Sequence, residues 1–241
     1  WAGATTCLAP ASSQWFVGGT GDVTSKGVLN LVNSGLGKAL VGVTVFTENG
    51  AQAEQVFAVK ANSFSAIGLA TLSPGSKLLA LHIVPQTGRV NAFLIDERGR
   101  GLRALGGDTV NSITSPAKSA VIPAIPHVVA KKKPLPHTLR ILIPGEVGAN
   151  LSAVISSTDG TFAPAGVDGR FIPAGKVIEI PLNLQMATGK FSLSLNSERP
   201  FVASVVSQTL SGGKSDFVWS TSVPALAPSS YSITGLAPLL I

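Results

Sequence analysis

The stretch VLNLVNSG at residues 28–35 returns as TLRILIPG at residues 138–145, a shift of 110 positions. The segment ALVGVTV at 39–45 is followed, at the same shift and without a gap, by ANLSAVI at 149–155. A repeat of this length corresponds to a whole domain rather than to a short solenoid unit that needs neighbours. The sequence of 241 residues therefore predicts two related domains.

Both copies consist of short alternating or apolar runs separated by Gly, Asn, Asp and Pro, a pattern typical of β-strands. Asn49-Gly50 and Asp159-Gly160 predict hairpin turns with positive φ at matching places. The number and spacing of the runs favour an all-β fold of two tandem immunoglobulin-like β-sandwich domains related by internal duplication. Strands are expected near 27–33, 39–47, 54–60, 64–70, 77–85, 89–96 and 108–114, and near 137–143, 149–157, 169–173, 176–182, 189–196, 200–208 and 215–221.

The first domain is predicted at residues 1–116 and the second, with an apolar tail, at 137–241. The bridge between them, 117–136, is rich in proline, which disfavours helix and favours extended chain. Its apolar residues predict that it lies against a domain as an added edge strand. In that case the two domains form one rigid body.

The bridge also carries the run Lys131, Lys132 and Lys133 and has no acidic residue. Such a run is either a solvated surface or a contact for anionic lipid headgroups or an acidic envelope polymer. The rest of the chain is nearly neutral, so a nucleic-acid partner is not expected.

Only 12% of the residues are charged and 45% are hydrophobic, which suits an all-β extracytoplasmic protein. Cys7 is the single cysteine, so no intramolecular disulfide can form, and it is either a buried small residue or a link to another chain. No apolar run approaches the roughly 20 residues of a membrane span. A chain that begins at Trp1 without a signal segment leads us to expect an ectodomain from which any anchor has been removed.

The densest charged stretch outside the bridge is Asp96-Glu97 with Arg98, Arg100 and Arg103. It predicts a solvated hairpin loop with internal ion pairs, and its three arginines are candidate binding residues. A glycosidase needs two carboxyl groups facing each other across a cleft. Adjacent strand residues point to opposite faces, so the Asp96-Glu97 pair does not suit that role.

Aromatic and imidazole side chains provide few further candidates. Trp15 could stack on a sugar ring, whereas Trp219 is expected in the core. His82, His127 and His137 lack the spacing of a metal site and are expected to be structural. Neither a metal nor a cofactor is expected.

Four motifs together resemble a known family: WFVGGT at 15–20, LNLVNSG at 29–35, RVNA at 89–92 and DFVW at 216–219. They are similar to the uncharacterised actinobacterial family DUF5719. The resemblance implies an exported protein associated with the cell envelope. It implies no catalytic residues.

These observations predict a non-catalytic extracytoplasmic binding or scaffold protein. Its expected partner is a protein or glycan of the cell envelope, including a membrane-anchored complex. One alternative is a carbohydrate-active enzyme with a site between the two halves, for which Asp96, Asp108 and Asp216 are the first suspects. The other alternative is a self-assembling surface or capsid-like subunit.

Overall fold

The computed structural model describes residues 3–5 and 9–224, and within them the regular secondary structure is β-strand in antiparallel ladders, with one short helix. In chain order the elements are β1 (Gln14–Val17), β2 (Val28–Asn33), β3 (Ala39–Thr47), β4 (Gly50–Ala51), β5 (Gln55–Val59), β6 (Ser63–Gly68), α1 (Leu69–Leu72), β7 (Ala80–Thr87), β8 (Val90–Arg100), β9 (Arg103–Val110), β10 (Ala117–His127), β11 (Val129–Ala130), β12 (Lys133–Pro134), β13 (His137–Leu142), β14 (Ala149–Ser157), β15 (Gly160–Phe162), β16 (Arg170–Ile172), β17 (Val177–Leu182), β18 (Gly189–Ser211), β19 (Lys214–Thr221) and β20 (Val223–Pro224).

Strands β1 to β9, the first half, form two sheets that share one core. One sheet has the order β1-β7-β3, with β4 and β5 both paired to β3, and the other has the order β6-β2-β8-β9. Residues of β2 alternate between half-buried and buried, as the period of two in a strand requires. Leu29 and Leu31 of β2 meet Val41 and Val43 of β3 in the core, so the two sheets pack face to face.

Strands β10 to β20 make up the second half. β14 pairs with β15 and β16 at its outer side and with β18 at its inner side, and β13 pairs with β17 and β18. The long strand β18 serves both sheets, because residues 191–197 pair with β14 and residues 202–207 pair with β13. The core of the second half includes Leu151, Leu193 and Phe201.

The segment predicted as a bridge is built into the second half. β10 pairs antiparallel with β18, and its register shifts between Ile122 and Ile125, around Pro123. A proline donates no ladder hydrogen bond, and a register shift tolerates that loss. β11 and β12 then form a hairpin with Lys131 and Lys132 at its tip. The domain boundaries themselves stay a prediction.

The two predicted hairpin tips have turns of the same length and pairing. Thr47 pairs with Gly50 and Ser157 pairs with Gly160, so the turns consist of residues 48–49 and 158–159. The predicted positive φ is found at the two glycines, 128° at Gly50 and 122° at Gly160. Asn49 and Asp159, for which a positive φ was also expected, do not have one. In both turns the hydroxyl before the turn accepts the N–H two residues on.

A third apolar cluster lies between the halves. Trp15, Val17 and Ile113 of the first half pack there with Leu142 and Val202 of the second. Close by, the buried hydroxyl of Ser204 donates a hydrogen bond to the carbonyl of Val17. The contact between the halves therefore includes a packed apolar cluster.

Candidate functional site

Strand β19 connects the two halves. By pairing it belongs to β18 of the second half, yet Phe217 and Trp219 lie in the core of the first half. The Trp219 backbone N–H donates to Asp108 Oδ2 at 2.7 Å, and its indole N–H donates to Asp96 Oδ2 at 2.9 Å. Asp216 Oδ1 accepts the N–H of Gly107 at 3.1 Å. The three aspartates named as first suspects therefore converge on β19.

Asp96 lies at the centre of this arrangement and is fully buried. The expectation of a solvated loop is wrong for this residue, because Asp96 is buried against Trp219. This partner is 123 positions away, so the charged stretch alone did not reveal it. The expected internal ion pair is present, since Arg98 Nη2 lies 2.8 Å from Asp96 Oδ2. The Arg98 guanidinium also lies 4.8 Å from the centre of the Phe217 ring.

The environment of Asp108 disfavours its charged form. Burial raises the pKa of the Asp108 carboxyl above its ordinary value, and the nearby carboxylates of Asp216 and Asp96 add to that rise. The Trp219 N–H that it accepts acts in the opposite direction. A carboxyl with a raised pKa is suited to hold a proton, which is one property of a general acid.

Arg140 also links the two halves. Its side chain is buried, and Nη1 donates to the carbonyls of Gly19 and Leu79 in the first half. Nε and Nη2 both donate to Glu179 Oε1, the latter at 2.7 Å. The guanidinium lies 5.0 Å from the centre of the Trp219 ring. Burial lowers the pKa of Arg140, and the Glu179 carboxylate counteracts this shift.

Our sequence reasoning did not find Arg140. A signal was present, because it is the one charged residue in the otherwise apolar run Leu139-Arg140-Ile141-Leu142. A cation in a strand buried on both faces needs a partner, and such partners often lie across an interface.

Between the halves there is a cleft of about 390 Å³, which we call the junction cleft. Its carboxylates already have protein partners, since Arg140 binds Glu179 and the Gly107 N–H binds Asp216. The remaining lining is mixed polar and apolar. Lining residues from the first half are Thr24, Arg98 and Leu105, and those from the second half include Pro136, Glu179, Gln208, Ser215 and Asp216.

The predicted basic binding residues lie on two hairpins. Arg100 and Arg103 are exposed and flank the turn between β8 and β9. Lys131, Lys132 and Lys133 are exposed at the hairpin of β11 and β12. Arg98 differs, because it is half-buried and bound to Asp96.

Trp15 is only 6% exposed, and its ring stacks on that of His82 with centroids 3.9 Å apart. In this arrangement it is a packing residue at the contact between the halves. Sugar stacking at Trp15 stays a prediction, which would require the ring to leave this stack. Trp1 and Cys7 lie outside the described residues.

Two of the histidines form a buried chain that the sequence did not suggest. His127 Nδ1 and His137 Nε2 are 2.8 Å apart, and His137 Nδ1 is 2.8 Å from Ser207 Oγ. His127 Nε2 faces the carbonyl of Met186, which can only accept, so this nitrogen carries a proton. Burial lowers the pKa of His137 to about 4, and the neighbouring His127 adds to the shift. All three side chains are buried, so the chain of hydrogen bonds is structural.

A second concave surface, the sheet groove, lies on the outer face of the second half and measures about 530 Å³. Ser119, Asn196 and Ser152 stand side by side across β10, β18 and β14. Phe171 is 60% exposed and lies opposite Asn150 in the adjoining strand pair. The groove lining also includes Lys118, Asp168 and Glu198.

The model of a family of unknown function, DUF5719, matches residues 2–235. The chain belongs to this family. No curated protein matches the chain. A solved structure of Thermotoga maritima 1070 is similar at 14% identity, with a TM-score of 0.37, over 43% of this chain and 95% of that one.

Within residues 3–5 and 9–224, no helix has the length and apolar character needed to cross a membrane. In the same part of the chain, no group of three or more His, Cys, Asp or Glu side chains is placed to hold a metal ion.

Proposed function

We propose that this member of the DUF5719 family is a non-catalytic, extracytoplasmic binding scaffold of the cell envelope. The observation that carries the proposal is the state of the carboxylates at the junction. Asp96 and Asp108 accept hydrogen bonds from Trp219, and Glu179 is bound to the buried Arg140. These groups hold two halves in one arrangement, which is what a scaffold with fixed binding surfaces requires.

We also infer that the halves are tandem immunoglobulin-like sandwiches derived by duplication. The pairing of β2 with β6 and β8 matches that of β13 with β17 and β18. The pairing of β1 with β7 matches that of β10 with the first part of β18. The recurring turn at Gly50 and Gly160 supports the same conclusion. On this reading β10 is the first strand of the second copy.

The sheet groove is the surface best suited to a glycan partner. Amide and hydroxyl groups of Asn150, Ser152 and Asn196 can exchange hydrogen bonds with sugar hydroxyls. The exposed ring of Phe171 supplies an apolar face at the side of the groove. Because the underlying strands are paired on both sides, these groups are held in place before a ligand arrives.

Capture from detergent-solubilised cell envelope tests the proposal. The wild-type chain should retain a protein or glycan in a fixed ratio, and the variant Asn150→Ala with Asn196→Ala should retain less of a glycan. The variant Lys38→Asn with Lys60→Asn, which alters exposed residues elsewhere, should capture as wild type does. If the wild type retains nothing above the level of an unrelated protein, the proposal fails.

One observation favours the carbohydrate-active enzyme as a second candidate. Asp108 has a raised pKa and lies near Asp96 and Asp216. An enzyme of this kind would release reducing ends from envelope polysaccharide, and Asp108→Asn would abolish that release. Equal results for the wild type and Asp108→Asn would remove this candidate.

A further inference from the structure

Two hairpin tips lie side by side at one end of the molecule. Asp216 contacts Gly107, and Trp219 contacts Asp108, so residue numbers in β9 and β19 increase in the same direction. The turns that precede these strands, at residues 101–102 and 212–213, must therefore lie at the same end. Lys26 joins them, since its Nζ donates to the carbonyl of Gly101.

The lysine hairpin belongs to the same end. The N–H of Gln208, near the end of β18, donates to the carbonyl of Pro136. Pro136 lines the junction cleft together with Leu105 and Ser215. With a rise of about 3.3 Å per residue, Lys133 lies within about 10 Å of this lining.

This end of the molecule, the basic rim, is rich in unpaired positive charge. All of its seven cations are exposed, and none of them forms an ion pair with another described residue. The seven positive charges of the rim exceed the net charge of the whole chain, which is +6. The seven residues are Lys26, Arg100, Arg103, Lys131, Lys132, Lys133 and Lys214.

The tip of the lysine hairpin has an unfavourable backbone. Lys131 and Lys132 have φ of 49° and 66°, the left-handed region required at both positions of a tight two-residue turn. Asn-Gly occupies this turn at lower cost, because the side chain of lysine crowds the backbone there. The sequence thus places two charges where folding alone favours other residues, and such strain is characteristic of functional sites.

Two aliphatic side chains project from the rim. Leu102, in the turn between Arg100 and Arg103, is 107% exposed, and Val23, three residues from Lys26, is 101% exposed. We propose that the basic rim docks the protein onto a membrane surface rich in anionic lipid, with Leu102 and Val23 entering the headgroup region and the seven cations contacting lipid phosphates.

The aliphatic side chains decide between a bilayer and an acidic polymer. Both would attract the cations, and both attractions would weaken with salt. A bilayer also gains from burying aliphatic side chains at its interface, whereas a hydrated polymer offers them no apolar environment. Two fully exposed aliphatic residues among cations therefore favour the bilayer.

Vesicle cosedimentation at low and high salt tests this proposal. The chain should bind vesicles of phosphatidylcholine and phosphatidylglycerol in equal parts, should not bind pure phosphatidylcholine, and should be released by salt. Each lysine near an anionic surface contributes about fivefold in affinity, so Lys131→Asn with Lys132→Gly should bind roughly 10- to 30-fold more weakly. The same variant should unfold at an equal or higher temperature, because it relieves the backbone strain.

Two controls make the result specific. Lys38→Asn with Lys60→Asn removes two charges from the opposite end of the first half and should bind vesicles as wild type does. Leu102→Ser keeps every charge of the rim and should bind several-fold more weakly. Unchanged binding by Leu102→Ser, together with displacement by soluble polyglutamate, would assign the rim to an acidic polymer and overturn the membrane proposal. Equal binding to both kinds of vesicle would also overturn it.

This inference rests on the proposed function only for the extracytoplasmic location. Pure lipid vesicles contain no envelope glycan or protein, so a failure of the groove variants and a failure of the rim variants are separate outcomes.

Discussion

The indole N–H of Trp219 donates a 2.9 Å hydrogen bond to the buried carboxylate of Asp96, which is 123 residues earlier in the chain. This bond joins a strand paired within the second half to the core of the first. Because Asp96 has no access to solvent, its carboxyl oxygens are satisfied by Trp219 and Arg98 instead of water. The pair therefore links the folding of the two halves.

The coupling between these two residues can be measured with a double-mutant cycle. Trp219→Phe removes the indole donor and should lower the free energy of unfolding by about 1–3 kcal/mol, because a buried carboxylate loses a partner. In an Asp96→Asn background the same substitution should cost at least about 1 kcal/mol less. Chemical denaturation of the four proteins gives the values, and additive effects would show that the bond does not couple the halves.

Arg140 should be more important for stability than an exposed arginine. Arg140→Met leaves the carbonyls of Gly19 and Leu79 without their donor and Glu179 without its cation, so the free energy of unfolding should fall by about 3–5 kcal/mol. Arg199→Met, an exposed control, should change it by less than about 0.5 kcal/mol. If Arg140→Met and Arg199→Met lose similar free energies of unfolding in urea denaturation, the role assigned to Arg140 is contradicted.

The histidine chain predicts a loss of stability in mild acid. The pKa of His137 is lowered to about 4, so between about pH 6.5 and pH 4 the unfolded chain binds a proton that the native protein excludes. The free energy of unfolding is then highest above pH 6.5 and falls as the pH falls, by about 1.4 kcal/mol per unit for this residue. His137→Gln should show a shallower slope, and an equal slope would contradict the buried neutral state.

Asp108 has the opposite effect on the pH dependence of the free energy of unfolding. Its pKa is raised, so just above the ordinary value of an aspartate the native protein holds a proton that the unfolded chain has lost. Stability from this group is present at low pH and is lost as the pH rises through the native pKa. Asp108→Asn keeps an acceptor for the Trp219 N–H without the charge, so at pH 7 it should match or exceed the wild type by on the order of 1 kcal/mol. A large loss of stability would show that the carboxylate is needed in its charged form.

Strands with regular alternation could be predicted closely from the sequence. The expected strands at 39–47 and 149–157 coincide with β3 and β14, because an apolar residue at every second position determines which face is buried. β1 was not predicted, since Gln14–Val17 is short and buried throughout. β10 was predicted as part of a bridge that lies against a domain as an added edge strand, because its prolines resemble those of a linker.

The candidate site was less accessible to sequence reasoning. Asp96 is a charged residue in a charged stretch, and its burial involves the distant Trp219 as well as the adjacent Arg98. His127 and His137 meet because β10 ends where β13 begins, which their separation of ten positions in the sequence does not reveal. Arg140 alone carried a local signal, a cation within an apolar strand. Long-range partners of polar groups depend on the tertiary arrangement, which periodicity does not encode.

The proposed scaffold function can be tested by cosedimentation of the purified chain with delipidated cell envelope, because delipidation separates scaffold binding from membrane docking. We expect saturable binding by the wild type and by Asp108→Asn, weaker binding by Asn150→Ala with Asn196→Ala, and no release of reducing ends by any of them. Absence of saturable binding by the wild type, or release of reducing ends that Asp108→Asn abolishes, would contradict the scaffold function.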